Sequence, residues 1–121
     1  MSDWKSSKAD PMHELLILPE AYSDIEDAYL YYEEQLTGLG DRFMWELNQR
    51  LKDLEQHPTH YGYINEGINL KTHRDVLLHS FPYRIVYNIQ ENRVIICAVL
   101  HGMSNPARIG KRLKGRGAKR S

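Results

Sequence analysis

Three side chains at the ends of neighbouring predicted strands could bind a phosphate and act on it. They are Arg74, Arg84 and His101. Guanidinium groups bind phosphate, and an imidazole can transfer a proton near neutral pH. Arg84 stands between Tyr83 and Ile85, so it faces away from the side that those two residues bury. The alternative is structural: the arginines pair with acids such as Glu66 or Asp75, and the histidine only ends its strand.

Other kinds of catalytic chemistry find little support in the residue spacing. His57 and His60 are three residues apart across Pro58, and no cysteine or acid stands at a ligand-like distance from them. No glycine-rich turn follows a strand and opens a helix, as phosphate and dinucleotide sites require. Cys97 lies among apolar residues in mid-strand, which indicates a buried and inert thiol. We therefore expect no metal and no cofactor.

The two halves of the chain carry opposite charges, although the formal net charge is zero. Residues 1–56 hold 13 acids against 5 lysines and arginines, whereas residues 57–121 hold 11 lysines and arginines against 3 acids. Seven of these basic residues follow Asn105, with no acid among them: Arg108, Lys111, Arg112, Lys114, Arg116, Lys119 and Arg120. This asymmetry suggests a face that meets an anionic or acidic partner. The alternative is a solvated, disordered tail.

Length and composition are those of one globular domain. The chain has 121 residues, 41% of them hydrophobic and 26% charged. No apolar run approaches the ~20 residues of a membrane span, and residues 1–12 lack the apolar core of a signal peptide. A single cysteine fits a reducing compartment, so we expect a cytoplasmic protein. We divide the chain into a flexible leader at 1–12, one domain at 13–112 and a basic flexible tail at 113–121.

Apolar spacing predicts the elements that carry these residues. Residues 13–18 predict a buried strand, and Pro19 suits the first turn of a helix. A glycine turn at 38–40 separates that helix from a second one, which Pro58 ends. The first helix has its apolar stripe at Ala21, Ile25, Ala28, Tyr32 and Leu36, joined by Tyr22 and Tyr29, and the second at Phe43, Leu47, Leu51 and Leu54.

The rest of the chain changes to the period of strands. Residues 59–67 predict a loop, and three strands follow at 70–78, from Pro82 and at 94–101, with a turn at 90–93 between the last two. Short turns favour antiparallel pairing. The sequence therefore predicts an α+β fold: an N-terminal strand, a helical hairpin and a three-stranded antiparallel meander, with the helices on one face of an antiparallel sheet.

Several short motifs follow one another along the chain in a set order. They are Asp27-Ala28-Tyr29, Tyr31-Tyr32, Gly40-Asp41-Arg42-Phe43, Leu54, Pro58, Arg74, Phe81-Pro82-Tyr83-Arg84-Ile85-Val86-Tyr87, Val94-Ile95-Ile96, Val99-Leu100-His101-Gly102, Asn105-Pro106 and Arg112. Over roughly residues 13–112 this series resembles the RelE/ParE superfamily of toxins from bacterial toxin–antitoxin pairs. The fold predicted above is the fold that the resemblance implies.

The resemblance implies one of two activities. RelE-type members cleave mRNA in the ribosomal A site with a basic cluster and a tyrosine or histidine, whereas ParE-type members bind DNA gyrase and block supercoiling. Arg84 matches the arginine that follows the tyrosine of the RelE motif. However, Asp75 and Leu77 stand where RelE has two lysines. Ser104 stands near the position where RelE has an arginine just after the last strand, and no tyrosine follows it. A scissile phosphate would therefore lack positive neighbours.

The motifs at 81–83 and 101–102 look more like the ParE side of the superfamily, so the resemblance favours a gyrase inhibitor over an enzyme. The expected target-binding residues are Arg84, His101, Arg108, Lys111 and Arg112. If the protein is instead a ribosome-dependent mRNA endonuclease, Arg74, Arg84 and His101 are its catalytic candidates.

Both activities imply the same regulatory partner. A cognate antitoxin would wrap over the helices and the sheet edge in a toxin–antitoxin hetero-oligomer, and the toxin would arrest growth when it is released. A third possibility is an inactive relative that only binds its antitoxin and helps to repress the operon.

Overall fold

A computed structural model of the protein describes residues 14–64 and 70–102. Its elements are β1 (Glu14–Ile17), α1 (Pro19–Gln35), α2 (Leu39–Gln56), a 3-10 turn (Pro58–His60), β2 (Tyr63–Ile64), β3 (Leu70–Leu77), β4 (Tyr83–Gln90) and β5 (Arg93–His101). The predicted leader at 1–12, Glu66 and the predicted tail at 113–121 lie outside the described residues.

Helix α1 buries only part of the predicted apolar stripe. Ala21, Ile25 and Ala28 are buried, but Tyr22 is 59% and Leu36 is 63% exposed. The chain leaves the helix after Gln35, and the extended backbone of Leu36 takes its side chain off the stripe. Tyr22 follows a buried residue directly, about 100° further round the helix. These two residues of the predicted stripe therefore do not share its buried face.

The turn between the helices is fastened by one carboxylate. Glu33 accepts hydrogen bonds from the N–H groups of Gly38 and Gly40, both at 2.9 Å. Gly38 has a φ of +93°, and a Cβ on Gly40 would lie 2.7 Å from a carboxylate oxygen of Glu33. Helix α2 then buries the four residues predicted for it: Phe43, Leu47, Leu51 and Leu54. The helical hairpin is confirmed.

The five strands form one sheet in the order β1-β5-β4-β3-β2. The last three strands are the predicted antiparallel meander, and β2 adds a short antiparallel strand inside the predicted loop. Strand β1 instead pairs with β5 in parallel, so the sheet is mixed and the expectation of an antiparallel sheet is wrong. Because β1 is an edge strand, Leu16 is 40% exposed rather than buried as predicted.

The sheet has two buried faces. On the first face the helices pack against residues such as Ile85, Tyr87 and Val99. The other face, called the second face below, carries the apolar cluster Val86, Ile95, Cys97, Ala98 and Leu100. A register shift between β4 and β5 leaves Cys97 without a residue opposite it. This β-bulge explains why Cys97 and Ala98 both belong to the second face.

Candidate functional site

Arg84 lies in the second face as a buried, paired cation. Its side chain is about 7% exposed, and its Nη1 forms an ion pair with a carboxylate oxygen of Asp75 at 2.7 Å. Its Nη2 donates to the carbonyl oxygen of Gly102 at 3.1 Å. Alternation along β4 puts it opposite the side that buries Ile85, as the sequence predicted. The pairing with Asp75 is the structural alternative that the sequence left open.

The other two residues of the predicted phosphate cluster lie on the first face. In the strand register Arg74 is opposite Tyr87 and His101 is opposite Tyr83, and both tyrosines pack towards the helices. Directly opposed residues of an antiparallel pair project to the same face. The three strands are neighbours as expected, but Arg84 points to the other side of the sheet. The fold therefore does not assemble Arg74, Arg84 and His101 into one cluster.

Arg74 is further engaged where α2 ends. Its Nη1 donates to the carbonyl oxygen of Tyr61 at 2.7 Å. The Tyr61 hydroxyl donates to Asp53 at 2.6 Å, and this hydrogen bond raises the pKa of the phenol. The neighbouring Tyr87 hydroxyl donates to the carbonyl oxygen of Pro58, also at 2.6 Å. These contacts fasten β3 and β4 to the end of the hairpin.

His101 ends β5 beside a group of aromatic rings. It is exposed, and its ring lies 5.4 Å from that of Tyr83. Tyr83 in turn packs at 5.5 Å from Phe43. Burial raises the pKa of the Tyr83 phenol, with smaller contributions from Tyr31 and Asp27. The phenol therefore stays protonated at neutral pH, so it can donate a hydrogen bond but cannot act as a general base.

A shallow cavity of about 480 Å³ opens where β3 turns into β4. Leu77, Arg84 and Gly102 line it together with the loop at 79–82. Glu46 of α2 accepts hydrogen bonds from the N–H groups of His79 and Ser80, which ties this loop to the hairpin. Leu77 is 55% exposed and forms an apolar wall of this cavity.

The outward surface of the hairpin combines apolar side chains with acids. Its exposed large apolar residues are Tyr22, Leu30, Tyr31, Leu36 and Trp45. Its exposed acids are Glu20, Glu26, Asp27, Glu34 and Asp41. Trp45 is 66% exposed, and it was not among the residues predicted to bind a partner. The signal was available, because Trp45 lies two positions from the buried Phe43 and therefore on the far side of the helix.

The remaining predictions concern basic target-binding residues, a metal site and a membrane span. The predicted target-binding residues Arg108, Lys111 and Arg112 lie outside the described residues. In residues 14–64 and 70–102, no group of three or more His, Cys, Asp and Glu side chains is placed to hold a metal ion. Over the same ranges, neither helix combines the length and apolarity needed to cross a membrane.

Comparison with known proteins agrees with this architecture. The solved structure of the chromosomal ParDE toxin–antitoxin system from P. aeruginosa aligns with a TM-score of 0.64 and 14% identity, covering 74% of this chain and 96% of that one. The RelBE2 toxin–antitoxin complex from Mycobacterium tuberculosis aligns with a TM-score of 0.55 and 18% identity, covering 75% and 99%. At these identities the likeness establishes the fold. No curated protein sequence matches the chain.

The fold is thus that of the RelE/ParE-like toxins, a helical hairpin on one face of a small sheet. The sequence model of one family within this class, the ParE toxin of the type II toxin–antitoxin system parDE, matches residues 15–106. Because this match spans most of the chain, the protein belongs to the ParE toxin family of type II toxin–antitoxin systems.

Proposed function

We propose that this toxin binds DNA gyrase, blocks supercoiling and is neutralised by a cognate antitoxin. The family match carries the proposal, because it is to ParE toxins. The placement of Arg84 supports it: a phosphoryl-transfer site needs cations that face the substrate, and Arg84 is buried against Asp75. Arg74 and His101 project from the opposite face of the sheet. A binding function needs no such constellation.

The proposed gyrase contacts are His101 at the end of the sheet and the cations that follow it. Gyrase would meet His101 together with Arg108, Lys111 and Arg112. Arg84 would act indirectly, because its bond to Gly102 fixes where the chain leaves the sheet. Contacts from exposed cations raise the association rate and weaken with salt.

A direct binding experiment tests the proposed contacts. Purified gyrase is titrated with the full chain, with Lys111→Glu plus Arg112→Glu, and with Lys119→Glu plus Arg120→Glu as a control of equal charge change. We expect the first pair to weaken binding about tenfold or more and the control to weaken it by less than threefold. Equal affinities for all three proteins would contradict a role for Lys111 and Arg112. No measurable binding of the full chain would contradict gyrase as the target.

The proposed antitoxin site is the outward surface of the hairpin. Tyr22, Tyr31 and Trp45 are each more than half exposed there, and aromatic side chains are enriched where proteins bind one another. The acids around them favour a partner segment that is apolar and basic. Both similar solved structures are described as toxin–antitoxin assemblies.

A second candidate function rests on His101. Its exposed ring lies 5.4 Å from the ring of Tyr83, so an imidazole and a phenol that can donate a hydrogen bond stand together at the sheet end. This pair would suit a ribosome-dependent mRNA endonuclease. Incubation with ribosomes translating a defined mRNA tests it: cleavage that His101→Ala abolishes would support the nuclease. If gyrase is unaffected and mRNA stays intact while antitoxin still binds, the protein is an inactive relative.

A further inference from the structure

Strand β1 forms one edge of the sheet. Within residues 14–64 and 70–102 it pairs with β5 alone, and no other strand lies on its outer side. Leu16 is 40% exposed at this edge, although it is a large apolar side chain in the middle of a strand. The free backbone groups of an edge strand can pair with another chain, so proteins often protect such edges with lysine or proline. Apart from Glu14 at its start, β1 is apolar and has neither.

The backbone groups that point outwards from β1 belong to Leu15 and Ile17. The N–H groups of Glu14 and Leu18 donate to carbonyl oxygens in β5 and just before it, so these two residues direct their backbone groups towards β5. Successive residues of a strand direct their N–H and carbonyl groups to opposite sides. Leu15 and Ile17 therefore each present one N–H and one carbonyl oxygen at the outer side, where a further strand could bind them.

The side chains of β1 divide between the two faces of the sheet. Leu15 and Ile17 pack against the core beneath the helices. Leu16 is opposite Ile95, which belongs to the second face, so its side chain stands at the margin of that face. Apolar side chains placed side by side on neighbouring strands stabilise the pairing. A strand that adds to this edge would thus gain most from an apolar side chain beside Leu16.

Strand β1 is complementary to itself in the antiparallel direction. When Leu15 of one copy pairs with Ile17 of a second copy, the reverse pair forms as well, and each pair exchanges two hydrogen bonds. Leu16 then lies directly opposite Leu16 of the second copy, on the same face and in the closely spaced position without hydrogen bonds. The charge of Glu14 does not oppose this arrangement, because the two copies of Glu14 are four residues, or about 13 Å, apart along the paired strands.

We propose that two copies of this chain associate through β1, which pairs with β1 of the second copy as antiparallel strands centred on Leu16. The two five-stranded sheets then join into one continuous sheet, with a two-fold axis between the Leu16 side chains. The contact consists of four backbone hydrogen bonds and one pair of leucines, which is small for a permanent interface, so monomer and dimer are in reversible equilibrium. This association goes beyond the proposed function and does not depend on gyrase as the target.

Disulfide cross-linking tests the pairing and its register. The closely spaced position brings the two Cα atoms to about 4.5 Å, a distance that a disulfide can bridge. In a Cys97→Ala background, which removes the chain's one cysteine, Leu16→Cys should form a covalent dimer on mild oxidation about tenfold faster or more than Leu77→Cys. Leu77 is the matched control, because it is a more exposed leucine on the same face of the sheet. Glu14→Cys should be as slow as this control, since its two copies are about 13 Å apart.

Sedimentation velocity on the purified full chain tests the association without an added thiol. The sedimentation coefficient should rise towards that of a dimer between about 5 and 500 µM protein. Leu16→Lys should keep the protein monomeric, because two like charges would face each other at the axis, whereas Leu77→Lys should still dimerise. Circular dichroism monitors the folding of each variant.

Three results would each overturn the proposal. They are a full chain that stays monomeric over the whole concentration range, a folded Leu16→Lys variant that dimerises as the full chain does, and cross-linking of Leu16→Cys no faster than that of Leu77→Cys. The first of these is measured on the unchanged protein, so it holds even if a variant does not fold. Supercoiling inhibition is measured separately and tests the proposed function.

Discussion

Arg84 shows how the surroundings of a residue decide its role. A guanidinium in water can bind phosphate, but Arg84 is enclosed by the second face and neutralised by Asp75 at 2.7 Å. The two residues lie diagonally across β3 and β4, two positions apart, since Arg84 is opposite Leu77 and Asp75 is opposite Val86. We interpret the pair as a structural anchor of the sheet end.

Removing the positive charge of Arg84 alone should therefore destabilise the folded protein. We expect Arg84→Met to lower the free energy of unfolding by about 2–4 kcal/mol, because Asp75 loses the positive charge that balances it in a mostly buried site. The double variant Arg84→Met plus Asp75→Leu should recover most of that loss. Urea unfolding of the two variants measures the difference. Equal losses in both would mean that the ion pair does not couple the two residues.

The Tyr87 phenol makes the free energy of unfolding depend on pH in the alkaline range. Burial raises the pKa of its phenol from 10.0 to about 12. The folded protein thus holds this proton more tightly than the unfolded chain, so the stabilisation is complete below pH 10 and is lost as the pH rises towards 12. Tyr87→Phe should reduce this loss and cost about 1 kcal/mol at neutral pH, because the carbonyl of Pro58 loses its donor.

Urea unfolding between pH 7 and 12 checks this prediction. Tyr22→Phe is the matched control, because it removes a hydroxyl from a residue that is 59% exposed. The pH dependence of this control should equal that of the unchanged protein. A Tyr87→Phe curve that parallels the unchanged protein up to pH 12 would show that another group causes the loss.

At the scale of elements, the helical hairpin depends on the turn that Glu33 closes. Glu33→Ala should destabilise the protein by about 1–2 kcal/mol, because the N–H groups of Gly38 and Gly40 lose a charged acceptor. The exposed neighbour Glu34→Ala should change stability by less than about 0.5 kcal/mol. Thermal unfolding of both variants is the measurement. Similar shifts of the unfolding temperature in the two variants would show that the hydrogen bonds to Glu33 contribute nothing to stability.

The sequence predicted the elements well because each one carries its own period. Phe43, Leu47, Leu51 and Leu54 are spaced for a helix, and β4 alternates as a strand does. What it did not predict depends on contacts between distant parts of the chain. The parallel pairing of β1 with β5 has no local signature.

The prediction that Arg74, Arg84 and His101 form one cluster was wrong for the same reason. Alternation within β4 correctly placed Arg84 away from Ile85, but whether Arg74 shares that side depends on the register between β3 and β4. A two-residue strand such as β2 and the bulge at Cys97 are likewise set by pairing. The sequence could therefore place Arg84 relative to its neighbours in β4 but could not place Arg74 and His101 relative to Arg84.

Across the whole molecule, most of the acidic residues are separated from most of the basic ones. The exposed acids of the hairpin lie on the same two helices as the exposed Trp45, whereas the basic residues concentrate after the last strand. On the proposed function these are two surfaces for two partners, the antitoxin on the hairpin and gyrase at the sheet end.

Trp45 should report on antitoxin binding. In a Trp4→Phe background it is the remaining tryptophan, and its fluorescence should shift to shorter wavelength when the antitoxin covers it. Trp45→Ala should weaken antitoxin affinity about tenfold or more, since a large aromatic anchor is lost. Leu77→Ala, an exposed residue away from the hairpin, is the control. Unchanged fluorescence and affinity would place the antitoxin on a different surface.

The most direct test of the account is a supercoiling assay with purified protein, gyrase, relaxed plasmid and ATP. We predict that the protein inhibits supercoiling in a dose-dependent manner, and that a molar excess of the cognate antitoxin restores it. Full supercoiling at high concentrations of correctly folded protein would contradict gyrase as the target of this toxin.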